Sequence, residues 1–341
     1  MEHTQDRGPT LDGAARTRLI DSALEILKDR YVFPEVALAM EAAVRDRHMR
    51  GEYDTITAGG AFRAALTEHL QEVSHDKHLQ LRYSPTAQPS REGDIWQDPE
   101  VIAAYLADAA IDNFGVQKVE RLAGNVGFLL LTSIDEAEYT ATSIAAAMAV
   151  LANTSALIVD IRRNNGGAPS GVAFLCSYFF APEPVHINDI YSREGDATQQ
   201  FWTLPHLPGE RYVDKPVYVL TSSRTFSGAE EFAYDLQQLK RAQIVGETTA
   251  GGANPVDVYQ LDPHFEIRVP TGRAINPITG TNWEGTGVTP DLVAEAEGAL
   301  DVAYRAALEA ILDGLGNAPS GAGVGLAEEA RAALAGLDDS C

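Results

Sequence analysis

Three short apolar runs, each separated from the next by a helical stretch, constrain the middle of this chain most strongly. They are Ala156-Leu157-Ile158-Val159-Asp160-Ile161, Pro216-Val217-Tyr218-Val219-Leu220 and Gln243–Gly246. An apolar helix is expected at 170–180 and another from about Gly228 to Lys240. Upstream, Asn125–Leu131 reads as a strand and the alanine-rich stretch Ser133–Leu151 as a helix. A β-α-β-α-β order predicts an α/β fold with a mostly parallel sheet covered by helices. In such sheets ligands meet the carboxyl ends of the strands.

The flanks differ in texture. Residues 11–30, 34–49 and 58–72 carry apolar residues at helical spacing, among them Phe62, Leu66 and Leu70, and predict an N-terminal helical bundle. Leu79–Tyr83 alternates like a strand, 84–98 reads as a loop, 99–113 as a helix and Val116–Leu122 as a strand. Residues 183–213 read as irregular and aromatic. A hairpin is expected at 256–270 with Asp262-Pro263 at its turn, a helix at 298–313, and a Gly/Ala-rich tail from Gly314 with a helix at 325–336. The expected division is a helical domain at 1–73, an α/β domain at 74–313 and a tail at 314–341.

The 341 residues are 45% apolar and 22% charged, enough for a sizeable core. Asp plus Glu number 49 against 26 Lys plus Arg, a net charge of −23. A chain this acidic repels phosphate backbones and anionic lipid, so nucleic acid and membrane surfaces are poor partners. The first ten residues carry neither a basic nor an apolar leader region, and no run reaches the ~18 apolar residues of a membrane span. Cys176 and Cys341 imply no disulfide framework. The expected compartment is the cytoplasm. Self-association is left open.

Four segments carry residue types suited to chemistry. Thr221–Glu231 lies between a buried strand and a helix, so Ser227 would stand at a helix N-terminus among oriented N–H groups that stabilise an oxyanion. Ser227-x-x-Glu230 also reads as a capping box, a structural role without catalysis. Asp160–Gly167 follows another buried strand, and Gly166-Gly167 would present N–H groups with no Cβ in the way, or make an ordinary turn. Ser74-His75-Asp76-Lys77-His78 offers imidazoles of the kind that activate serine. Its spacing does not match a zinc helix such as H-E-x-x-H, and no metal or other cofactor is expected. In Asn282–Asp291, a glycine-rich loop, Glu284 could orient an imidazole. A phosphate-binding loop and the G-x-S-x-G elbow are both missing.

Taken in order, these pieces resemble the S41 family of serine peptidases. That family includes the carboxyl-terminal processing proteases, the tricorn core and interphotoreceptor retinoid-binding protein. The resemblance runs over roughly residues 74–295, on Asp76-Lys77-His78, Lys118–Gly127, Val159–Gly167, Thr225–Glu230, Val245–Gly252 and Glu284–Asp291. The N-terminal helices resemble the helical domain of the retinoid-binding branch. The resemblance implies a ClpP/crotonase-like core, Ser227 as nucleophile, and Gly228 with Gly166 or Gly167 as the oxyanion hole. Ser/Lys members carry a lysine about 25 residues after the serine, where this chain has Gly251-Gly252-Ala253. The tricorn-like branch uses a histidine and a glutamate instead, and His78 and Glu284 occupy those places. A serine precedes that histidine in the tricorn core, whereas Lys77 does here, so Glu284 would reach His78 directly or through Ser74 or water, with His75 as a fallback base.

No segment between 84 and 125 resembles a PDZ module, so short peptides are the expected substrates. Two other readings stay open. One is acyl chemistry on a small ester, amide or biosynthetic intermediate. The other is binding of an apolar ligand by Phe174, Leu175, Tyr178, Phe179, Phe180, Trp202 and Trp283.

Overall fold

The computed structural model describes residues 9–89, 98–316 and 319–338. The N-terminal residues 1–8, part of the expected loop at 84–98, and Cys341 lie outside the described residues. The chain divides into two compact units. One takes residues up to Tyr105 with Ile190–Gln199 and Asn254–Ala274. The other takes Leu106–Asp189, Gln200–Ala253 and the chain from Ile275.

In the first unit, helices α1 (Gly13–Arg30), α2 (Pro34–Met49) and α3 (Gly59–Ser74) occupy the expected stretches. Asp12 caps α1, its Oδ1 accepting the Ala15 N–H at 2.7 Å. Pro34 opens α2, where a missing N–H costs nothing. His75 ends α3 in the left-handed region with φ 55°. The helices bury Leu24, Leu27, Met40, Phe62, Leu66 and Leu70 against one face of an antiparallel sheet. Its strands are β1 (Gln80–Tyr83), β9 (Val256–Asp262) and β10 (Phe265–Pro270), in the order β1-β10-β9. Leu81, Phe265, Ile267 and Val269 are that sheet's contribution to the core. Each fully buried side chain of this size is worth about 1.5–3 kcal/mol.

The second unit is built on a six-stranded sheet. Its strands are β2 (Val116–Leu122), β3 (Val126–Leu131), β4 (Ala156–Asp160), β7 (Val217–Thr221), β8 (Gln243–Gly246) and β12 (Leu292–Val293), in the order β12-β8-β7-β4-β3-β2. All neighbours are parallel except β2, which runs antiparallel to β3. Every residue of β4 and β7 is buried, as expected of central parallel strands covered on both faces. The crossovers are α5 (Ala137–Leu151), α6 (Pro169–Ser177) and α7 (Gly228–Gln238). Helices α8 (Ala299–Leu315) and α9 (Ala322–Asp338) follow. Ala303, Ala307, Leu308 and Ala330 of these two pack with Val126, Ile158, Tyr218 and Leu220 of the sheet.

Residues 183–213 are not irregular throughout. They contain β5 (His186–Ser192) and β6 (Ala197–Trp202), which join β11 (Gly272–Ile275) in a sheet ordered β11-β5-β6. β6 reads Ala-Thr-Gln-Gln-Phe-Trp and is exposed almost throughout, so no apolar alternation announces it. Helix α4 (Pro99–Ile111) falls in the stretch expected to be helical. No helix among the described residues is long and apolar enough to cross a membrane.

Candidate active site

β4 and β7 are parallel neighbours with Asp160 opposite Leu220, so the loops at their carboxyl ends leave the sheet side by side. Three hydrogen bonds lace them together. Ser222 Oγ donates to the Arg162 carbonyl at 2.6 Å, Thr225 Oγ1 to the Ile161 carbonyl at 3.0 Å, and Phe226 N to the Asn164 carbonyl at 3.1 Å. At the end of this turn Ser227 stands half-buried at the N-cap of α7, with φ 56° and ψ −127°. Few non-glycine residues adopt such a conformation, and those that do cluster at functional sites. It is the sharp strand-to-helix geometry of a nucleophile elbow, formed without the G-x-S-x-G motif. The clearance comes from the neighbouring loop. A Cβ on Gly166 would lie 2.7 Å from Ser227 Cβ and 2.8 Å from Gly228 N.

The two loop glycines play different parts. The Gly166 N–H donates to Asn164 Oδ1 at 2.8 Å and is therefore already used. The Gly167 N–H makes no hydrogen bond among the described residues, nor does that of Gly228, the first residue of α7. A Cβ on Gly228 would lie 3.0 Å from Gly167 N, so the two unengaged N–H groups are close neighbours beside Ser227. Gly167, at φ +154°, lies so close to Ile134 that a Cβ would come 1.9 Å from the Ile134 carbonyl oxygen.

Glu230 fixes this arrangement from below. Its Oε2 accepts the Ser227 N–H at 2.8 Å and the Gly252 N–H at 2.9 Å. Its Oε1 accepts Thr249 Oγ1 at 2.5 Å and the Gly251 N–H at 2.6 Å. Burial pushes this carboxyl's pKa up, and the four donors oppose the push. The carboxylate arm of the expected capping box thus exists and also ties α7 to the 249–252 turn. Glu284 holds the next residue: its Oε2 accepts the Ala253 N–H at 2.6 Å. Its loop is anchored by buried Trp283, whose Nε1 donates to the Gly252 carbonyl at 2.7 Å.

The first unit carries the histidine segment. His78 is 2% exposed and Asp76 1%, whereas His75 and Lys77 are exposed. Asp76 organises the turn. Its Oδ1 accepts the His78 N–H at 3.0 Å, and its Oδ2 accepts Asn254 Nδ2 at 2.8 Å and the Tyr31 hydroxyl at 3.3 Å. Burial, with a smaller push from the positive charge of Arg268, holds the His78 imidazole down at about 3. Ser74 Oγ accepts the Asp76 N–H at 3.3 Å, and His75 serves as the α3 cap.

Glu230, Asn254 and Arg268 escape sequence reasoning as site residues. The helix-capping pattern was the only signal for Glu230. Asn254 and Arg268 lie far along the chain from His78, and nothing local marks them. The aromatic set proposed for an apolar ligand is largely spent on packing. Phe174 and Tyr178 meet edge to face, Phe179 packs on Phe232 and Trp283 on Tyr234, while Trp202 stacks on His186.

Comparison with known proteins agrees with this architecture. The model of Peptidase family S41 matches residues 125–294, and that of the N-terminal domain of Peptidase_S41 in eukaryotic IRBP matches residues 13–109. The chain belongs to peptidase family S41. It is 26% identical over 181 residues to the carboxy-terminal-processing protease of Bartonella bacilliformis, spanning 51% of this chain and 40% of that protein. The chain spans less than half the length of the curated relatives it matches. Its fold is similar to that of the photosystem II D1 C-terminal processing protease, with a TM-score of 0.51 at 15% identity, covering 83% of this chain and 94% of that one. A lipoprotein from Streptococcus agalactiae aligns with a TM-score of 0.56 at 14% identity, covering 86% and 96%.

Proposed function

We propose that this chain is a serine peptidase that works through an acyl-enzyme on Ser227. The observation that carries this reading is the strained, half-buried Ser227 at the head of α7, beside the unengaged N–H groups of Gly228 and Gly167. Ser227 Oγ attacks the peptide carbonyl. Neutral His78 takes its proton and later returns it to the leaving amine, and Glu284 stabilises the imidazolium formed between. Gly228 and Gly167 donate to the oxyanion, an effect worth about 3–4 kcal/mol per donor in other enzymes. Water then releases the acyl group and regenerates the serine.

A histidine base rather than a lysine is favoured because Gly251-Gly252-Ala253 occupies the stretch where Ser/Lys members place lysine. Short peptides are the favoured substrates, since no segment between 84 and 125 resembles a module that captures long chains. The test is digestion of a mixed-length peptide library by the purified chain beside Ser227→Ala. Fragments should appear with the wild type and vanish with the variant, while both melt at similar temperatures. Fragments that persist in Ser227→Ala would refute the assignment.

A further inference from the structure

The sheet of the first unit has a second, polar face. β1 and β10 pair with Gln80 opposite Arg268 and Arg82 opposite Glu266. Side chains alternate along a strand, and Leu81 and Ile267 face the helical core. Gln80, Arg82, Glu266 and Arg268 therefore share the opposite face, with Val258 and Gln260 of β9 next to them. Among these, Arg268 is an orphan. It is half-buried, makes no hydrogen bond or ion pair among the described residues, and its Nε is wholly buried with no acceptor. Glu266 stands on the same face and forms no ion pair with either arginine. The Arg268 charge is felt at His78, and burial together with the like charge of Arg82 pushes the Arg268 pKa down.

A buried guanidinium Nε with no acceptor is unfavourable unless another molecule supplies one. This chain has almost twice as many acidic as basic side chains, yet none among the described residues pairs with Arg268. The planar fork of an arginine matches a carboxylate, and withdrawal from water strengthens the pair. We propose that Arg268, assisted by Arg82, is a carboxylate-binding subsite beside His78 that selects peptide substrates bearing a negative charge. The subsite rests on the reading of the chain as a peptidase, and it names the substrate class. The charge comes from an acidic side chain or from the peptide's own C-terminus.

The experiment uses Ser227→Ala protein, which binds without turnover, and three acetylated peptides of one sequence. The first has a free C-terminal carboxylate, the second is amidated, and the third is amidated with one internal residue replaced by glutamate. Titration calorimetry should show at least one charged peptide binding about tenfold or more tighter than the neutral one. The charged peptide that gains identifies the source of the carboxylate. Adding Arg268→Gln should erase the difference, and Arg268→Lys should restore part of it. The ring resonances of His78 should show its pKa rising when the carboxylate neutralises Arg268. Equal binding of all three peptides, or a preference that survives Arg268→Gln, would overturn the subsite. A wild type that cleaves no peptide would remove the peptidase reading while leaving this binding result standing. Equal cleavage of charged and neutral peptides would remove the subsite alone.

Discussion

The fold strongly changes the ionisation of His78. Its ordinary value is about 6.5, and burial with Arg268 nearby brings it down to about 3. A ring held neutral is free to accept a proton, but so low a value also makes it a weak base, so the proposed role requires that bound substrate or the Glu284 carboxylate raise it toward the operating pH. The sign for stability follows from linkage. Below about 6.5 the unfolded chain takes up a proton at His78 that the folded chain refuses until about 3. Stability therefore falls as pH drops through that window, and above it His78 contributes nothing. In a nuclear magnetic resonance titration of folded protein, the His78 ring should stay neutral from pH 8 down to pH 5. A midpoint near 6.5 would contradict the burial argument. From local pattern alone, Ser227 and His78 are only residue types in suggestive places, and it is the resemblance of the ordered motifs to the S41 family that singles them out. What distinguishes them is backbone strain for one and burial for the other, and both come from contacts distant in the chain.

At the scale of elements, the β7–α7 turn depends on a single buried carboxylate. Glu230 receives Ser227, Thr249, Gly251 and Gly252. Replacing it with glutamine keeps the shape but turns an NH2 group toward N–H donors. Glu230→Gln should cost about 2–4 kcal/mol in urea unfolding and should also lower turnover, because the Ser227 N–H loses its acceptor. A variant with wild-type stability and activity would show that the turn is held otherwise. The elements themselves were well foreshadowed. The apolar runs of β4, β7 and β8 can be covered only inside a parallel sheet, and the α1–α3 spacings have one apolar face each. β6 was hidden because it buries almost nothing, and β12 because two residues carry no period. The difference between Gly166 and Gly167 was equally hidden, since it turns on the Asn164 side chain reaching back two residues.

At the scale of the molecule, the order of motifs carries more than any motif alone. A serine at a helix start, a Gly-Gly loop and an imidazole each have ordinary structural uses. The pairing of β1 with β10, nearly two hundred residues further on, could not be read from local pattern. It is this pairing that sets Arg268 near His78, while parallel β4 and β7 set Gly167 near Ser227. The proposed peptidase requires an activated serine. The most direct test of this is intact-protein mass after exposure to a fluorophosphonate, for the wild type, Ser227→Ala and His78→Ala. One adduct is expected on the wild type, none on Ser227→Ala, and labelling slowed at least about a hundredfold in His78→Ala. A folded wild type that stays unlabelled, or an adduct that persists in Ser227→Ala, would contradict the proposal.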